Sequence, residues 1–204
     1  MRCLVITPYM EGSLSACLPH DGAQLVICAD TAYRQALEAG ITPDVVIGDF
    51  DHGDGQPAKS GKVIRVPSEK DDTDTMLCIK YATKAGAGEI VIAGGIGGRL
   101  DHTIANIQSL AYAASRGASD VYKRQARILS GRAKFPKKPG FYFSVFAYGG
   151  PCRGVSESGV KYPLRNVELS SDFPLGVSNE ITEDFADIEV KEGRLLIIQS
   201  KKEV

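Results

Sequence analysis

The sequence predicts an α/β protein in which an N-terminal, mostly parallel sheet flanked by helices, Rossmann-like in arrangement, precedes a C-terminal antiparallel β-sandwich. Between residues 4 and 116, short apolar runs alternate with longer stretches of helical periodicity, which is typical of parallel strands joined by crossover helices. Beyond residue 127 the apolar runs are separated by Gly, Pro, Asn or Ser and show no helical period, which favours an antiparallel sandwich. We therefore expect two domains, residues 1–122 and 123–204.

The composition excludes several classes of protein. The chain has 24 basic and 25 acidic side chains among its 204 residues, so no overall field favours nucleic acid or an anionic membrane. No apolar run approaches the roughly 20 residues that a membrane-spanning helix needs. Its five cysteines are scattered through mostly apolar runs, which indicates reduced core thiols and a cytoplasmic protein.

The first clear strand, residues 25–29, ends at a carboxylate. Asp30 and Thr31 follow it, and a helical pattern then runs to Gly40. In open α/β sheets the ligand crevice lies beyond the carboxyl ends of the strands. Asp30 therefore has two interpretations, as the N-cap of this helix or as a site residue, and both can hold together.

The next buried-type strand, residues 45–47, is followed by Gly48 and two more carboxylates. In extended backbone Asp49 and Asp51 would face one way and Phe50 the other. Like charges repel, and paired carboxylates together with substrate phosphates are what Mg²⁺ prefers. The alternative is an acidic turn exposed to solvent.

Three aspartates in residues 71–74 open the next helical pattern, which Gly86 ends. The helix dipole favours acidic residues in a first helical turn, and this alone can explain the presence of some of these aspartates. Three carboxylates in four residues exceed what capping requires. Asp74 would complete a metal site if this helix starts at the edge of the sheet where Asp49 and Asp51 lie.

Another buried-type strand, residues 89–93, runs into a loop with four glycines in five residues, 94–98. Such a loop brings backbone amides close to a ligand, of which phosphate is the commonest. It matches neither Gly-x-Gly-x-x-Gly nor a Walker A motif. Arg99 offers a guanidinium fork and Asp101 an acceptor or a cap. In the helix that follows we expect Ile104 to face inward.

The second domain offers short strand candidates at residues 127–129, 141–148, 160–164, 167–169, 187–190 and 195–199. Glu192 and Gly193 are expected to form a hairpin turn. Residues 123–125 (KRQ) interrupt an expected strand, and we have no physical account of them.

Six motifs, in order along the chain, resemble those of bacterial thiamine pyrophosphokinases. They are residues 28–30 (CAD), 47–51 (IGDFD), 71–74 (DDTD), 94–102 (GGIGGRLDH), 161–164 (KYPL) and 177–180 (VSNE). The resemblance implies an α/β nucleotide-binding catalytic domain, a C-terminal thiamine-binding β-domain and a homodimer with thiamine at its interface. It also implies Mg²⁺-dependent transfer of a pyrophosphoryl group from ATP to the thiamine hydroxyl, releasing AMP.

The resemblance assigns a role to each motif residue. Asp49, Asp51 and Asp74 correspond to the family's Mg²⁺-associated acids, and Asp30 to its first-strand acid, so these four are the expected catalytic residues. The expected nucleotide-binding residues are Asp30, Arg34, Lys70, Gly95 and Gly98. Arg99, Asp101, Ser178 and Asn179 are the expected thiamine-binding residues.

Two other functions stay open from the residues alone. The motifs of the α/β domain indicate binding of ATP and Mg²⁺ more than they indicate which alcohol accepts the pyrophosphoryl group. A pyrophosphokinase for another heterocyclic alcohol, such as a hydroxymethyl pterin, is therefore one alternative. The other is a non-catalytic regulator that binds nucleotide or thiamine. The clustered carboxylates argue against the regulator, because a protein that only binds these ligands has no need of them.

Overall fold

The structure is a computed structural model that describes residues 1–10, 12–18, 22–50, 61–116, 118, 120–123 and 126–202, of which 16, 17 and 120–123 are described by backbone only. The chain divides into two compact units, Met1–Arg124 and Gln125–Val204.

The first unit is a parallel sheet whose strands alternate with helices. Its elements are β1 (Arg2–Ile6), β2 (Leu25–Ala29), α1 (Tyr33–Glu38), β3 (Val45–Gly48), β4 (Lys62–Arg65), α2 (Asp74–Lys84), β5 (Glu89–Ala93), α3 (Leu100–Ser115) and β6 (Asp120–Lys123). The strands pair in the order β6-β5-β1-β2-β3-β4, and every pair is parallel. The carboxyl ends of β2 and β3, neighbours in the sheet, therefore meet at one edge.

The central strands are apolar along their length because both faces of the sheet are covered. On one face, α1 packs on a buried cluster that includes Leu4, Ile6, Cys28, Val46 and Val91. The side chain of Ile104 in the first turns of α3 is 51% exposed, so our expectation that it faces inward was wrong. Within the described residues, no helix is long and apolar enough to cross a membrane.

The second unit is an antiparallel β structure. Its elements are β7 (Ala126–Pro136), β8 (Phe141–Ala147), β9 (Cys152–Ser158), β10 (Leu164–Leu169), β11 (Gly176–Asn179) and β12 (Phe185–Lys201). The long strands β7 and β12 pair with each other. On its other side β12 pairs with β9 through its first half and with β8 through its second half, so the sheet curls around one core. This arrangement, together with the parallel first unit, confirms the predicted fold class.

The expected hairpin turn at Glu192 and Gly193 is wrong. β12 runs on through both residues, with a shift of register between Val190 and Leu195. Gly193 has φ 96°, and a Cβ there would lie 2.8 Å from the carbonyl oxygen of Pro151. The glycine therefore serves a bulge at which the strand changes partner, and not a turn.

Candidate active site

Asp30 lies directly after β2, in a single 3-10 turn, Asp30–Ala32, that leads into α1. Its backbone is left-handed, with φ 46°, which is uncommon outside glycine. Neither the turn nor α1 has a side-chain cap, so the N-cap interpretation of Asp30 was wrong; Asp30 is part of the turn and does not precede it. Its Oδ1 is buried and accepts no hydrogen bond in the described part of the chain.

Gly48, the last residue of β3, lies against Asp30. A Cβ on Gly48 would be 2.7 Å from the Asp30 Cα and 3.0 Å from its Oδ1. Only glycine permits this approach, because contacts under 3.0 Å force a shift of backbone. The close packing of two neighbouring strand ends thus requires glycine at position 48, directly against the left-handed Asp30.

Asp49 and Asp74 meet at one ammonium group. Lys70 Nζ donates a hydrogen bond of 3.0 Å to Asp49 Oδ2 and lies 3.2 Å from Asp74 Oδ1. The Lys70 side chain is only 16% exposed. Asp74 is the first residue of α2, whose N-cap is Thr73, and its buried Oδ1 forms an ion pair with Lys70.

The charges of this cluster shift the pKa values of Asp74 and Lys70. Burial raises the pKa of Asp74, Lys70 acts against this rise, and the negative charges of Asp49 and Asp30 add to it. Burial alone would lower the pKa of Lys70, but its contacts with Asp49 and Asp74 outweigh burial and raise it. Three carboxylates and one ammonium therefore share a poorly solvated space at the carboxyl edge of the sheet.

Asp51 lies outside the described residues, so its part in this cluster stays a prediction. The extended geometry that we assumed for residues 49–51 does not hold at Phe50, whose backbone is left-handed with φ 54°. The Phe50 ring lies 5.2 Å from the guanidinium carbon of Arg65, at the end of β4. Among the described residues, no group of three or more His, Cys, Asp or Glu side chains is arranged to hold a metal ion.

The glycine-rich loop wraps around Tyr9. All four of its glycines, 94, 95, 97 and 98, are left-handed. A Cβ on Gly98 would lie 2.7 Å from the Tyr9 ring, and the Gly95 amide donates a hydrogen bond of 2.6 Å to the Tyr9 carbonyl oxygen. The Gly95 amide is therefore used inside the loop.

Arg99 and Asp101 form an exposed fork at the start of α3. Arg99 Nη2 and Nε donate to the two Asp101 oxygens at 2.6 and 3.1 Å, and the side chains are 72% and 65% exposed. These bonds, with one from the His102 amide, lower the pKa of Asp101 to about 2. Arg34, on α1, is exposed and its Nε contacts the hydroxyl oxygen of Tyr33 at 3.5 Å.

In the second unit Ser178 and Asn179 differ sharply. Ser178 is exposed, with φ 60°, and its amide donates to Ser144 Oγ. Asn179 is buried, and its amide group joins three segments: Nδ2 donates to the Tyr162 carbonyl oxygen and to Glu157 Oε1, and Oδ1 accepts from the amides of Tyr162 and Glu180.

Comparison with known families agrees with this arrangement. Residues 19–121 match the model of the thiamin pyrophosphokinase catalytic domain, and residues 132–195 match that of the thiamin pyrophosphokinase vitamin B1 binding domain. The chain belongs to the thiamine pyrophosphokinase family. It is therefore an enzyme, and the resemblance found in the sequence is confirmed.

Known thiamine pyrophosphokinases cover the chain almost from end to end. A thiamine pyrophosphokinase of Bacillus subtilis is 28% identical over 190 residues, which are 88% of this chain and 89% of that protein. A crystal structure of thiamine pyrophosphokinase from Bacillus subtilis matches with a TM-score of 0.82 at 25% identity, covering 99% of this chain and all of that one. One from Geobacillus thermodenitrificans matches with a TM-score of 0.77 at 27% identity, covering 99% and 98%.

Sequence reasoning missed the residues that support the thiamine pyrophosphokinase motifs. Asn106, on α3, is buried and donates to the Gly95 carbonyl oxygen at 2.7 Å. Thr103 Oγ1 accepts from the Gly97 amide at 3.1 Å. Polar residues on one face of a helix that follows a glycine-rich loop are the only sequence signal for such contacts.

Proposed function

We propose that this chain transfers a pyrophosphoryl group from ATP to the hydroxyl of thiamine, giving thiamine pyrophosphate and AMP, with Mg²⁺. One observation carries the proposal: Asp49 and Asp74 come together on Lys70, beside Asp30, at the ligand-binding edge of a parallel sheet. The two family matches support thiamine as the acceptor and pyrophosphoryl transfer as the reaction.

The residues present fit Mg²⁺. The Asp30 Oδ1 atom is buried and accepts no hydrogen bond within the described chain, which is costly unless a cation or proton reaches it. Carboxylate oxygens are the ligands that Mg²⁺ prefers. We propose that Asp49, Asp51 and Asp74 hold the ion, which when bound neutralises charge on the transferred group.

Positive charge at the nucleotide site comes from the chain itself. Lys70 offers an ammonium that can donate to phosphate oxygens, and Arg34 offers a second, exposed cation. We propose that Gly95 and Gly98 act by shape, since their left-handed backbone lets the loop turn tightly around Tyr9. Asp30 is proposed to complete the nucleotide and metal side of the site.

We propose that thiamine, whose thiazolium ring is cationic, binds beside Asp101. This carboxylate is ionised throughout the neutral range, as an ordinary aspartate is; Arg99 lowers its pKa further and fixes its orientation through two hydrogen bonds. Leu100 and Ile104, next to Asp101 on α3, are 72% and 51% exposed. Exposed apolar side chains of this size favour a protein interface, which supports the proposed homodimer with thiamine at its interface.

Ser178 and Asn179 have distinct proposed parts in the thiamine pocket. Ser178 is exposed and carries a hydroxyl, so it is proposed to contact thiamine directly. Asn179 is proposed to hold the segment around it in shape, because its side chain is engaged by Tyr162, Glu180 and Glu157.

In the proposed reaction the thiamine hydroxyl oxygen attacks the β-phosphorus of ATP. The bond from the β-phosphorus to the α–β bridging oxygen breaks, AMP leaves with that oxygen, and the proton of the thiamine hydroxyl passes to solvent. The chain contributes by positioning and by neutralising charge, which dominate catalysis of phosphoryl-type transfer. We also propose a cytoplasmic location, which the buried free thiols of Cys3, Cys28, Cys78 and Cys152 favour.

The deciding experiment incubates the purified chain with ATP, Mg²⁺ and thiamine and separates the products by chromatography. We expect AMP and thiamine pyrophosphate in equal amounts, and nearly complete loss of both in Asp49→Asn and Asp51→Asn with the fold intact. AMP formed only with a hydroxymethyl pterin would transfer the assignment to the other acceptor. Thiamine binding without AMP would make the chain a regulator.

A further inference from the structure

The Lys70 ammonium lies between Asp49 and Asp74, two of the residues that are proposed to hold the metal ion. Its ammonium lies 3.0 Å from Asp49 Oδ2 and 3.2 Å from Asp74 Oδ1, so it bridges the two acids that approach each other from β3 and α2. Asp30 is near enough for its charge to act on Asp74. One positive charge therefore offsets part of three negative charges in a space that excludes most of the solvent.

A divalent cation held by Asp49 and Asp74 would compete with the Lys70 ammonium for the carboxylate oxygens that the ammonium contacts. A metal ion that binds without phosphate would have to displace Lys70. The displaced ammonium would stay close to the metal ion, and the two positive charges would repel each other. A metal ion that arrives on a polyphosphate brings phosphate oxygens with it, and these can accept hydrogen bonds from the displaced ammonium. The flexible four-carbon stem of lysine allows such a move, since its head is a compact charge on rotatable bonds.

We propose that Lys70 is the counter-ion of these carboxylates before substrate binds, and that it makes metal binding depend on nucleotide. Without substrate it holds Asp49 and Asp74 together and opposes free divalent cations. When metal and polyphosphate enter together, Lys70 leaves the carboxylates and binds the phosphate chain. The inference rests on the proposed function for its ligands, and it adds an order of events to that function.

The test measures binding of Mn²⁺, a Mg²⁺ substitute, by the decrease of its free electron paramagnetic resonance signal. Wild type, Lys70→Met and Lys80→Met are titrated with Mn²⁺ alone and with Mn²⁺ plus α,β-methylene ATP, whose Pα–Pβ bridge cannot be cleaved. Lys80 is the matched control, because on α2 it makes a comparable lysine–aspartate pair with Asp72 outside the cluster.

Removing the Lys70 charge should act in opposite directions on the two titrations. We expect Lys70→Met to bind Mn²⁺ alone at least about tenfold more tightly than wild type does, since the positive charge about 3 Å from Asp49 and Asp74 is gone. We expect the same variant to bind the Mn²⁺–analogue complex about tenfold more weakly, because it lacks the phosphate donor. Lys80→Met should match wild type in both.

Free Mn²⁺ binding that stays equal or weakens in Lys70→Met overturns the proposal, since a residue that only supports the structure would weaken both titrations. If Lys70→Met does not fold, Lys70→Gln, which keeps a hydrogen-bond donor without the charge, is held to the same two outcomes. Formation of thiamine pyrophosphate by wild type is assayed separately. The proposed function can therefore fail while these binding results stand, and the reverse is also true.

Discussion

Glu157 on β9 and Asn179 on β11 form a hydrogen bond of 3.3 Å inside the second unit, from Asn179 Nδ2 to Glu157 Oε1. The two residues are 2% and 4% exposed. Glu157 Oε2 is buried and has no hydrogen-bond partner in the described part of the chain. Burial raises the pKa of Glu157 to about 7, and the bond from Asn179 only partly opposes this.

This carboxyl should make stability fall as the pH rises toward neutrality. Its pKa is about 7 in the folded chain against an ordinary 4.5, so the folded state holds a proton that the unfolded state has lost between these values. The free energy of unfolding should therefore decrease between about pH 4.5 and 7 by up to about 3 kcal/mol from this group. Glu157→Gln keeps the shape and should remove that part of the pH dependence.

The measurement is urea unfolding of wild type and Glu157→Gln at pH 5.5 and 8. The variant should gain stability relative to wild type at the higher pH. Glu183→Gln, at an exposed position of the same unit, serves as the control and should follow wild type. An equal pH dependence in wild type and Glu157→Gln would show that the buried carboxyl is not the source.

Asp74→Asn should abolish most activity without weakening the fold. Asp74 is partly buried, and burial raises its pKa, so loss of its charge relieves repulsion from Asp49 and Asp30. The same loss removes a proposed metal ligand. A metal ion stabilises the charge of the transition state by several kcal/mol, so we expect the rate to fall by about 100-fold or more. Steady-state assays and thermal unfolding measure the two effects.

Asp72→Asn is the matched control for Asp74→Asn. Asp72 lies two residues earlier, and both of its oxygens accept hydrogen bonds from Lys80 and not from Lys70. It should retain nearly full activity. Equal losses in the two variants would mean that the general charge of this segment matters, and that Asp74 has no special part.

The proximity of Asp49 and Asp74 could be predicted from the sequence because parallel strands bring their carboxyl ends to one edge. What sequence patterns could not give is the local backbone. The left-handed Asp30 packs against Gly48, where a Cβ would lie 2.7 Å from the Asp30 Cα, and the two residues are 18 positions apart in the sequence. Capping preferences and hydrophobic periodicity give no information on a contact between residues so far apart in the sequence. The cap interpretation of Asp30 relied on them alone and was wrong.

The second unit shows the same limit. Strand β9 escaped prediction because Gly154, Ser156 and Ser158 interrupt its apolar pattern, and Glu157 within it has the polarity of a surface residue. The strand expected at residues 160–164 begins only at Leu164. Val160 forms a single bridge with Ile181, and Pro163 lacks the amide that a ladder requires.

Gly48→Ala should displace Asp30. The added Cβ would lie 2.7 Å from the Asp30 Cα, so one backbone must move by several tenths of an ångström. We expect a loss of about 1–3 kcal/mol of stability from overpacking. Activity should fall by about 10- to 100-fold, because small misplacements of site residues are costly. Urea unfolding and kcat/KM for ATP check the two effects.

Gly86→Ala is the control for Gly48→Ala, because it introduces backbone strain without displacing a site residue. Gly86 follows α2 with φ 82° and has open space around its Cβ position, so alanine there costs about 1 kcal/mol through backbone strain alone. Its activity should stay at the wild-type level. If Gly86→Ala loses as much activity as Gly48→Ala, the contact between Gly48 and Asp30 has no specific role.

Asp101→Asn should weaken the use of thiamine and leave the pH profile unchanged in shape. The pKa of Asp101 is held at about 2 by the Arg99 fork and the His102 amide, so it is already ionised at every pH from 5 to 9. Losing a charged acceptor should lower kcat/KM for thiamine by about 10- to 100-fold, with KM for ATP unchanged. Glu168→Gln, which alters a comparable exposed pair with Arg153, should change neither value. An inflection between pH 5 and 9 that is present in wild type and absent from Asp101→Asn would contradict this assignment, because it would require a carboxyl that titrates in that range.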